Sequence, residues 1–213
     1  MTESDRHRRG EPLFGLGRRA AAVVTIVATV AVVGNPAVAD EEGRDGKNNV
    51  VSVINERDGS WRTKAKDSIA REPGPTVANE NVAFARASCT DCRTVAVAVQ
   101  AIVVEGPVDD FRPGNAAVAF NESCLRCQTF AYARQEVLYA DSKVKIGPAA
   151  KDQIGAIRQQ LKAVADADIP FDQMIADLDA LVVEYVGALQ AAIEQSGARA
   201  VERSDRKVER DED

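Results

Sequence analysis

Four cysteines are the residues of this 213-residue chain whose type and spacing could carry chemistry. They form two Cys-x-x-Cys pairs, Cys89 with Cys92 and Cys124 with Cys127. Thiols at this spacing can form disulfides, ligate zinc or exchange disulfides with another protein. Four cysteines also allow three disulfide connectivities, so the spacing alone leaves both the chemistry and the pairing open.

An internal repeat surrounds both pairs. Eight residues follow each pair in a similar order, Arg-Thr-Val-Ala-Val-Ala-Val-Gln to Gln100 and Gln-Thr-Phe-Ala-Tyr-Ala-Arg-Gln to Gln135. Upstream, Pro73 to Asn81 matches Pro107 to Asn115. The copies are offset by 34 and then 35 positions, which indicates a repeated supersecondary unit. We place a first copy without cysteines 34 positions earlier, with Asn55 to Asp58 in the place of Cys89 to Cys92, so the turn itself does not require cysteines.

The N-terminal residues predict export. Arginines precede an apolar run from Ala20 to Val33, and Ala37-Val-Ala39 offers a small-residue cleavage site. Residues 1–39 are therefore predicted to be a signal peptide, with a retained single-pass anchor as the alternative. Either form places the remaining chain outside the cytoplasm, in the cell envelope or secreted.

The composition after Ala39 excludes several function classes. Residues 40–213 contain 22 basic and 30 acidic side chains, and the only histidine, His7, lies in the predicted signal peptide. The net charge of about −8 argues against nucleic acid and anionic lipid as general partners. The absence of imidazole excludes catalytic triads with histidine and zinc sites with mixed Cys and His ligands. No catalytic residue is assigned, and a membrane contact is expected only through an uncleaved N-terminal segment.

The pattern of apolar residues predicts an α+β fold with four parts. Residues 40–47 form a polar linker, and residues 48–146 alternate with the period of strands. Turn-forming residues suggest three β-hairpins, with arms at 50–54 and 61–69, 82–87 and 94–104, and 116–121 and 129–138. The two Cys-x-x-Cys pairs would form the tips of the second and third hairpins.

Residues 148–196 change to a helical period. The stripe from Ile154 to Val164 and the stripe from Ile175 to Ala192 have heptad spacing, and Pro170 lies near the start of the second. They predict an antiparallel helical hairpin, coiled-coil-like, with a second helix apolar enough to contact the strand module or another subunit. The charged residues 197–213 are predicted to be a disordered tail.

Export favours disulfide staples over the other two cysteine chemistries. An oxidising compartment and an even cysteine count suit full pairing. Two facing Cys-x-x-Cys tips would also suit a four-thiolate zinc site, but Arg93 and Gln128 stand where such sites usually carry glycine. A catalytic Cys-x-x-Cys needs a helix N-terminus, whereas strand-like residues follow both pairs, and only Arg93 or Arg126 could assist a thiolate. The prediction is therefore no cofactor, with zinc as the alternative.

Segments 81–100 and 115–127 resemble a bacterial family of exported Cys-x-x-Cys repeat proteins, similar to the extracytoplasmic region of some proteins named peptide zinc metalloproteases. The resemblance covers about residues 48–195 and implies a strand-rich Cys-x-x-Cys module before a short helical hairpin. It does not bring protease activity, because the exported chain has neither a histidine motif nor several membrane helices. Only the four cysteines carry over.

Together these features predict an exported, non-catalytic structural or protein-binding module. Its protein partner is not identified, and self-association through the helical hairpin is a further expectation. The alternatives are a thiol-disulfide exchange protein, an accessory subunit of a membrane protein and a four-Cys zinc-binding module.

The signal peptide generates the first prediction. Cleavage after Ala39 should leave Asp40 as the first residue of the mature protein, because the small residues of Ala37-Val-Ala39 suit signal peptidase. N-terminal sequencing of the extracytoplasmic fraction measures this directly. Recovery of only the full-length chain, in membranes, would instead establish the retained anchor.

Overall fold

A computed structural model describes residues 48–212. The predicted signal peptide, the linker 40–47 and Asp213 lie outside the described residues. The elements follow in the order β1 (Asn49–Asn55), β2 (Trp61–Glu72), β3 (Thr76–Val77), β4 (Glu80–Ala87), β5 (Arg93–Val104), β6 (Asp110–Phe111), β7 (Gly114–Asn121), β8 (Gln128–Ala140), α1 (Pro148–Ala165), α2 (Phe171–Gln195) and β9 (Ala200–Glu212). The α+β class is confirmed.

The strands form a parallel β-solenoid of three stacked coils. We call residues 49–77 coil 1, residues 80–111 coil 2 and residues 114–140 coil 3. Sheet A contains β1, β4 and β7, and sheet B contains β2, β5, β8 and, antiparallel to β8, β9. A small third sheet pairs β3 with β6. Each strand of a coil thus pairs in parallel with the equivalent strand of the next coil.

The prediction of three β-hairpins is wrong, although strands occupy the predicted arms. β1 pairs with β4 and β2 pairs with β5, rather than β1 with β2. The two arms of each coil face each other across the interior, in different sheets. The alternation of apolar and polar residues shows which face of a strand is buried. Because this alternation is the same in a hairpin arm and in a solenoid strand, it does not distinguish between the two.

The register also corrects the alignment of the first coil. Trp61 pairs with Arg93, an offset of 32 residues, and Arg93 pairs with Gln128 at the offset of 35. The loop of coil 1, residues 56–60, has the same length as the loop 88–92 of coil 2. The residues equivalent to Cys89 and Cys92 are therefore Arg57 and Ser60, not Asn55 and Asp58.

Small residues allow sheets A and B to approach closely. The interior between the two sheets is an apolar cluster of two valines and seven alanines, Val51, Val53, Ala83, Ala85, Ala96, Ala98, Ala119, Ala131 and Ala133. Alternate alanines are therefore a property of the inward faces of coils 2 and 3. Larger apolar side chains on the opposite face of sheet B point to the helices.

An amide ladder crosses the solenoid interior. The Nδ2 of Asn49 donates to the Oδ1 of Asn81 at 2.9 Å, and the Nδ2 of Asn81 donates to the Oδ1 of Asn115 at 2.8 Å. Gln135 donates to the Oε1 of Gln100 at 2.8 Å in the same manner. Buried amides are stable only when they are hydrogen-bonded, so these ladders hold the coils in one register.

The helices cover the outer face of sheet B. β5 is buried along its full length, because one face lines the interior and the other packs on the helices. The predicted α2 stripe from Ile175 to Ala192 is buried from Leu178 onward and half-buried at Ile175, and Leu181 and Ile193 extend it onto the sheet. No helix within residues 48–212 combines the length and apolar character needed to cross a membrane.

The prediction of a disordered tail is wrong for residues 200–212, which form β9. A backbone ladder with β8 needs no apolar face, so a charged segment can complete a sheet. The charges also find partners on α2, where Arg210 contacts Asp172 at 2.7 Å and Arg206 pairs with Asp179. β9 also contacts coil 3, since Asn115 donates to the carbonyl of Asp205 at 2.9 Å.

The amide ladder generates the second prediction. Replacing Asn81 by Ala should lower the free energy of unfolding by about 3 kcal/mol, because several buried polar partners lose their hydrogen bonds. The matched control is Asn48→Ala, which removes an exposed asparagine that accepts from the amide of Glu80 and should cost about 0.5 kcal/mol or less. Chemical denaturation followed by circular dichroism measures both. Equal losses in the two variants would contradict a structural role of the ladder.

Candidate functional site: the stacked cysteine corner

The cysteines lie where the chain turns from sheet A into sheet B. The three corner loops, residues 56–60, 88–92 and 122–127, stack on one another as the strands do. Gly59, Asp91 and Arg126 occupy equivalent positions, and each has a positive φ of 54° to 64°. The amide of Gly59 donates to the carbonyl of Thr90 at 2.8 Å, and the amide of Asp91 donates to that of Leu125 at 2.9 Å. The backbone therefore adopts the same positive φ two residues before the sheet B strand in all three coils, although the loop of coil 3 is one residue longer.

The two cysteine pairs form local disulfides, Cys89 with Cys92 and Cys124 with Cys127. The Cα atoms of each pair are 6.2 and 5.8 Å apart, within the range that disulfides span. Of the three connectivities that the sequence allows, the structure therefore has the one with two local bridges. Each bridge closes one corner loop.

Stacking brings all four sulfurs together. The four Sγ atoms lie within 4.8 Å of one another, and the Sγ atoms of Cys92 and Cys127 are 3.3 Å apart. Cys89, Cys92 and Cys127 are buried, at 5% exposure or less, while Cys124 is half-buried. The site residues singled out from the sequence therefore form one cluster, although 31 residues separate the two pairs.

Carbonyl oxygens face two of the sulfurs. The Sγ of Cys127 lies 2.9 Å from the carbonyl oxygen of Cys89, and the Sγ of Cys89 lies 3.2 Å from that of Asn55. A carbonyl attracts a thiol proton and repels a thiolate, so this environment disfavours the charged form of either sulfur. Thiolates are the reactive species in both exchange and metal binding. The surroundings therefore disfavour reactions that need a thiolate at these two sulfurs.

A hydroxyl takes the place of the disulfide in coil 1. The Oγ of Ser60 lies 2.6 Å from the carbonyl oxygen of Arg57 and 2.7 Å from the Oδ1 of Asn55. Arg57 and Ser60 are the positions equivalent to Cys89 and Cys92. A hydrogen bond thus closes the same loop that a covalent bond closes in coils 2 and 3.

Arg126 is engaged in an ion pair across the corner. Its guanidinium binds both carboxylate oxygens of Asp91, the equivalent residue of the preceding coil. The hydrogen bond from Arg126 lowers the pKa of Asp91, so the carboxylate remains ionised. The sequence suggested Arg126 as a residue that could assist a thiolate, but in the structure its guanidinium links the corner loops of coils 2 and 3 through Asp91.

Arg93 is also engaged, at the first position of β5. Its guanidinium carbon lies 4.6 Å from the ring centre of Phe171 and 5.5 Å from that of Trp61, which are distances of cation–π contacts. Its Nη2 donates to the carbonyl of Ile169 at 2.6 Å, and its Nη1 donates to Gln128 at 2.9 Å. Burial lowers the pKa of Arg93, and the nearby carboxylate of Asp168 opposes this shift.

A cleft of about 820 Å³ opens beside this arginine, between the start of α2 and the end of β9. Arg93 and Gln128 line it, and both also line a smaller pocket beside Cys92, so the cleft adjoins the cysteine corner. Four of its lining residues are acidic, Asp168, Asp172, Asp211 and Glu212, and Arg210, which also lines it, pairs with Asp172. Sequence reasoning did not find this arrangement, because Phe171 and Arg93 are 78 positions apart. Trp61 and Arg93 are 32 residues apart, and Arg93 and Gln128 are 35 residues apart. These repeat offsets were the signal in the sequence that could have indicated that the three residues are neighbours.

No family model matches this chain, and neither a curated protein nor a solved structure matches it.

The disulfides generate the third prediction. Replacing Cys89 by Ala together with Cys92 by Ser reproduces the hydroxyl-closed loop of coil 1. The protein should remain folded and lose about 2 kcal/mol of unfolding free energy, since the bridge closes a loop of only a few residues. Thermal and chemical denaturation measure the loss.

The single variant Cys89→Ala is the matched control. It leaves Cys92 as a free thiol 3.3 Å from the sulfur of Cys127. Attack of the Cys92 thiolate on that sulfur forms a Cys92–Cys127 bond and releases Cys124 as a thiolate. Peptide mapping after alkylation should find this new bond. A Cys124–Cys127 bond that persists unchanged would show that the two bridges do not communicate.

Proposed function

We propose that this chain is an exported, non-catalytic structural and protein-binding module whose corner loops are held by disulfide staples. The observation that supports it most is the position of the two bridges, buried and stacked on consecutive coils. Each bridge closes a loop of a few residues, so it removes little conformational entropy from the unfolded chain. Its contribution to the free energy of unfolding is therefore modest. The staples chiefly fix the shape of one corner of the solenoid.

Three features favour staples over thiol-disulfide exchange. Both pairs lie between strands, so no helix N-terminus lowers the pKa of a cysteine there. Carbonyl oxygens face the sulfurs of Cys89 and Cys127. The two arginines nearest the pairs are engaged, Arg126 with Asp91 and Arg93 with aromatic rings. A redox enzyme needs an accessible thiolate, and this corner opposes one.

A binding role is supported by what the solenoid leaves uncovered. Helices cover the outer face of sheet B, whereas Val50, Ile54 and Val118 on the outer face of sheet A are 41% to 52% exposed. Exposed apolar residues that share one sheet face are typical of surfaces that contact other proteins. A rigid solenoid presents such a face without an entropic cost of ordering it on binding.

A four-Cys zinc module is the second candidate, and one observation favours it. All four sulfurs lie within 4.8 Å of one another. In a tetrahedral site with bonds of about 2.3 Å the sulfurs lie about 3.8 Å apart. After reduction, Cys89, Cys92, Cys124 and Cys127 could hold the ion, which would link coils 2 and 3. Cobalt titration of the reduced protein would reveal it by thiolate-to-metal absorption bands.

The remaining expectations belong to the same proposal. An antiparallel arrangement of α1 and α2 agrees with their short connection, residues 166–170. Self-association through these helices is disfavoured, because the apolar face of α2 is buried on sheet B. An accessory role beside a membrane protein rests only on the resemblance of the cysteine segments.

The staple proposal generates the fourth prediction. The mature protein, added to insulin and dithiothreitol, should not accelerate insulin reduction above the rate with dithiothreitol alone, because its thiolates are disfavoured. Turbidity measures the rate, with thioredoxin as the positive control. Intact mass before and after alkylation should find no free thiol in the native chain.

The Cys89→Ala/Cys92→Ser variant distinguishes the alternatives. Acceleration by the native protein that this variant abolishes would establish thiol exchange and overturn the proposal. Stoichiometric zinc in the protein as isolated, with four thiols that react after chelation, would establish the metal module instead.

A further inference from the structure

The two ends of the solenoid differ. At coil 3, β9 pairs with β8 and contacts β7, so it covers that end. At coil 1, β1 and β2 are the border strands of sheets A and B. Within residues 48–212 no strand pairs with the outer edge of either one. Among the described residues no strand occupies the outward backbone donors and acceptors of β2, which can therefore pair with an added strand, whereas on β1 the carbonyl of Ile54 already accepts from Arg62.

A basic row lies along this open end. Arg62, Lys64 and Lys66 of β2 occupy register positions that point into the interior, because their partners in β5 are Thr94, Ala96 and Ala98. In coil 1 all three side chains are exposed, since no further coil within residues 48–212 covers them. Lys64 and Lys66 have no ion-pair partner among the described residues. This concentration of positive charge is unusual in a mature chain with a net charge of about −8.

A groove follows the same strand. It has a volume of about 460 Å³ and runs between residues 52–54 of β1 and residues 61–64 of β2. Ile54 and Trp61 line it and are 43% and 50% exposed. Arg62 spans the groove and donates to the carbonyl of Ile54 at 3.3 Å. The groove therefore combines apolar contact surface with the basic row.

We propose that the open end of coil 1 binds an extended acidic peptide segment of a protein partner. The segment adds as a strand along the free edge of β2, which supplies backbone hydrogen bonds. Side chains two positions apart on a strand lie about 6.8 Å from each other, so carboxylates at alternate positions face Arg62, Lys64 and Lys66 in turn. An apolar residue at one end of the segment contacts Trp61. This inference rests on the proposed binding function and identifies the class of partner.

An alternative role of Arg62, Lys64 and Lys66 is to prevent the free edge of β2 from pairing with another copy of the chain. Lysines on a border strand discourage edge-to-edge pairing of two copies. That role predicts self-association when the charges are removed and requires no affinity for acidic peptides. Binding to anionic lipid is another alternative outcome.

The experiment uses the mature chain, residues 40–213, with intact disulfides. Trp61 is the only tryptophan, so its fluorescence reports binding at the groove directly. The probe is a seven-residue peptide with Glu at three alternate positions between Val and Thr. The same peptide with Gln for Glu tests the charge, and one with N-methyl groups on alternate amides tests the strand pairing. The acidic peptide should saturate the Trp61 signal, and both control peptides should bind at least tenfold more weakly.

Lys64→Gln/Lys66→Gln should weaken binding of the acidic peptide at least tenfold, and Lys64→Arg/Lys66→Arg should retain it within about threefold because the charge remains. The matched control is Lys151→Gln/Lys162→Gln on the exposed side of α1, which should change affinity less than twofold. Affinity should also fall with added salt.

Three results would overturn the inference. The first is equal affinity for the acidic peptide and the Gln peptide. The second is an equal loss of affinity for the acidic peptide in Lys64→Gln/Lys66→Gln and in the control Lys151→Gln/Lys162→Gln. The third is binding of phosphatidylglycerol vesicles without binding of the acidic peptide. Dimerisation of Lys64→Gln/Lys66→Gln in ultracentrifugation, with no peptide binding by the native chain, would assign the basic row to edge protection. Insulin reduction by the native protein would overturn the proposed staple function separately, so the two failures are distinguishable.

Discussion

The register between coils is the constraint on which the rest of this structure depends. Each strand must meet its equivalent after 32 to 35 residues, and a slip of one residue would turn alanines outward and charged residues inward. The ladder of Asn49, Asn81 and Asn115 opposes such a slip, because buried amides lose their partners when the coils shift. The stacked corners follow from this register, and so do the clustered sulfurs and the contact of Arg93 with the ring of Trp61.

The asymmetry of the solenoid separates surfaces that stabilise it from surfaces that can bind. Helices bury one outer face of sheet B, and β9 covers the end of coil 3 with charges that pair with α2. Coil 1 instead ends in a row of exposed basic residues, and the outer face of sheet A keeps apolar residues at the surface. Among the described residues β9 covers one end and no strand covers the other, and this difference is what the proposed recognition of an extended segment uses. The buried disulfides fix the corners from which β5 and β8 start.

The cysteine corner shows how surroundings select among chemistries that share one motif. Spacing permits a disulfide, a metal site or exchange, and it does not distinguish between them. Two carbonyl oxygens near the sulfurs disfavour thiolates, and Arg93 and Arg126 are held by other groups. Close sulfurs remain compatible with a metal after reduction. The selection therefore depends on backbone atoms and distant side chains that the motif does not contain.

The sequence by itself determined the positions of six long strands and two helices, because alternation and helical spacing record which side of each element is buried. It also determined the equivalence of the two cysteine pairs, since their offset of 35 residues is visible in the repeat. Only the tertiary structure decided that the strands pair between coils, that residues 200–212 form β9 and that Ser60 replaces Cys92 in coil 1. The physical reason is that strand partners are chosen by the joint burial of faces from distant segments. A local pattern specifies the face of a strand but not the edge to which it bonds.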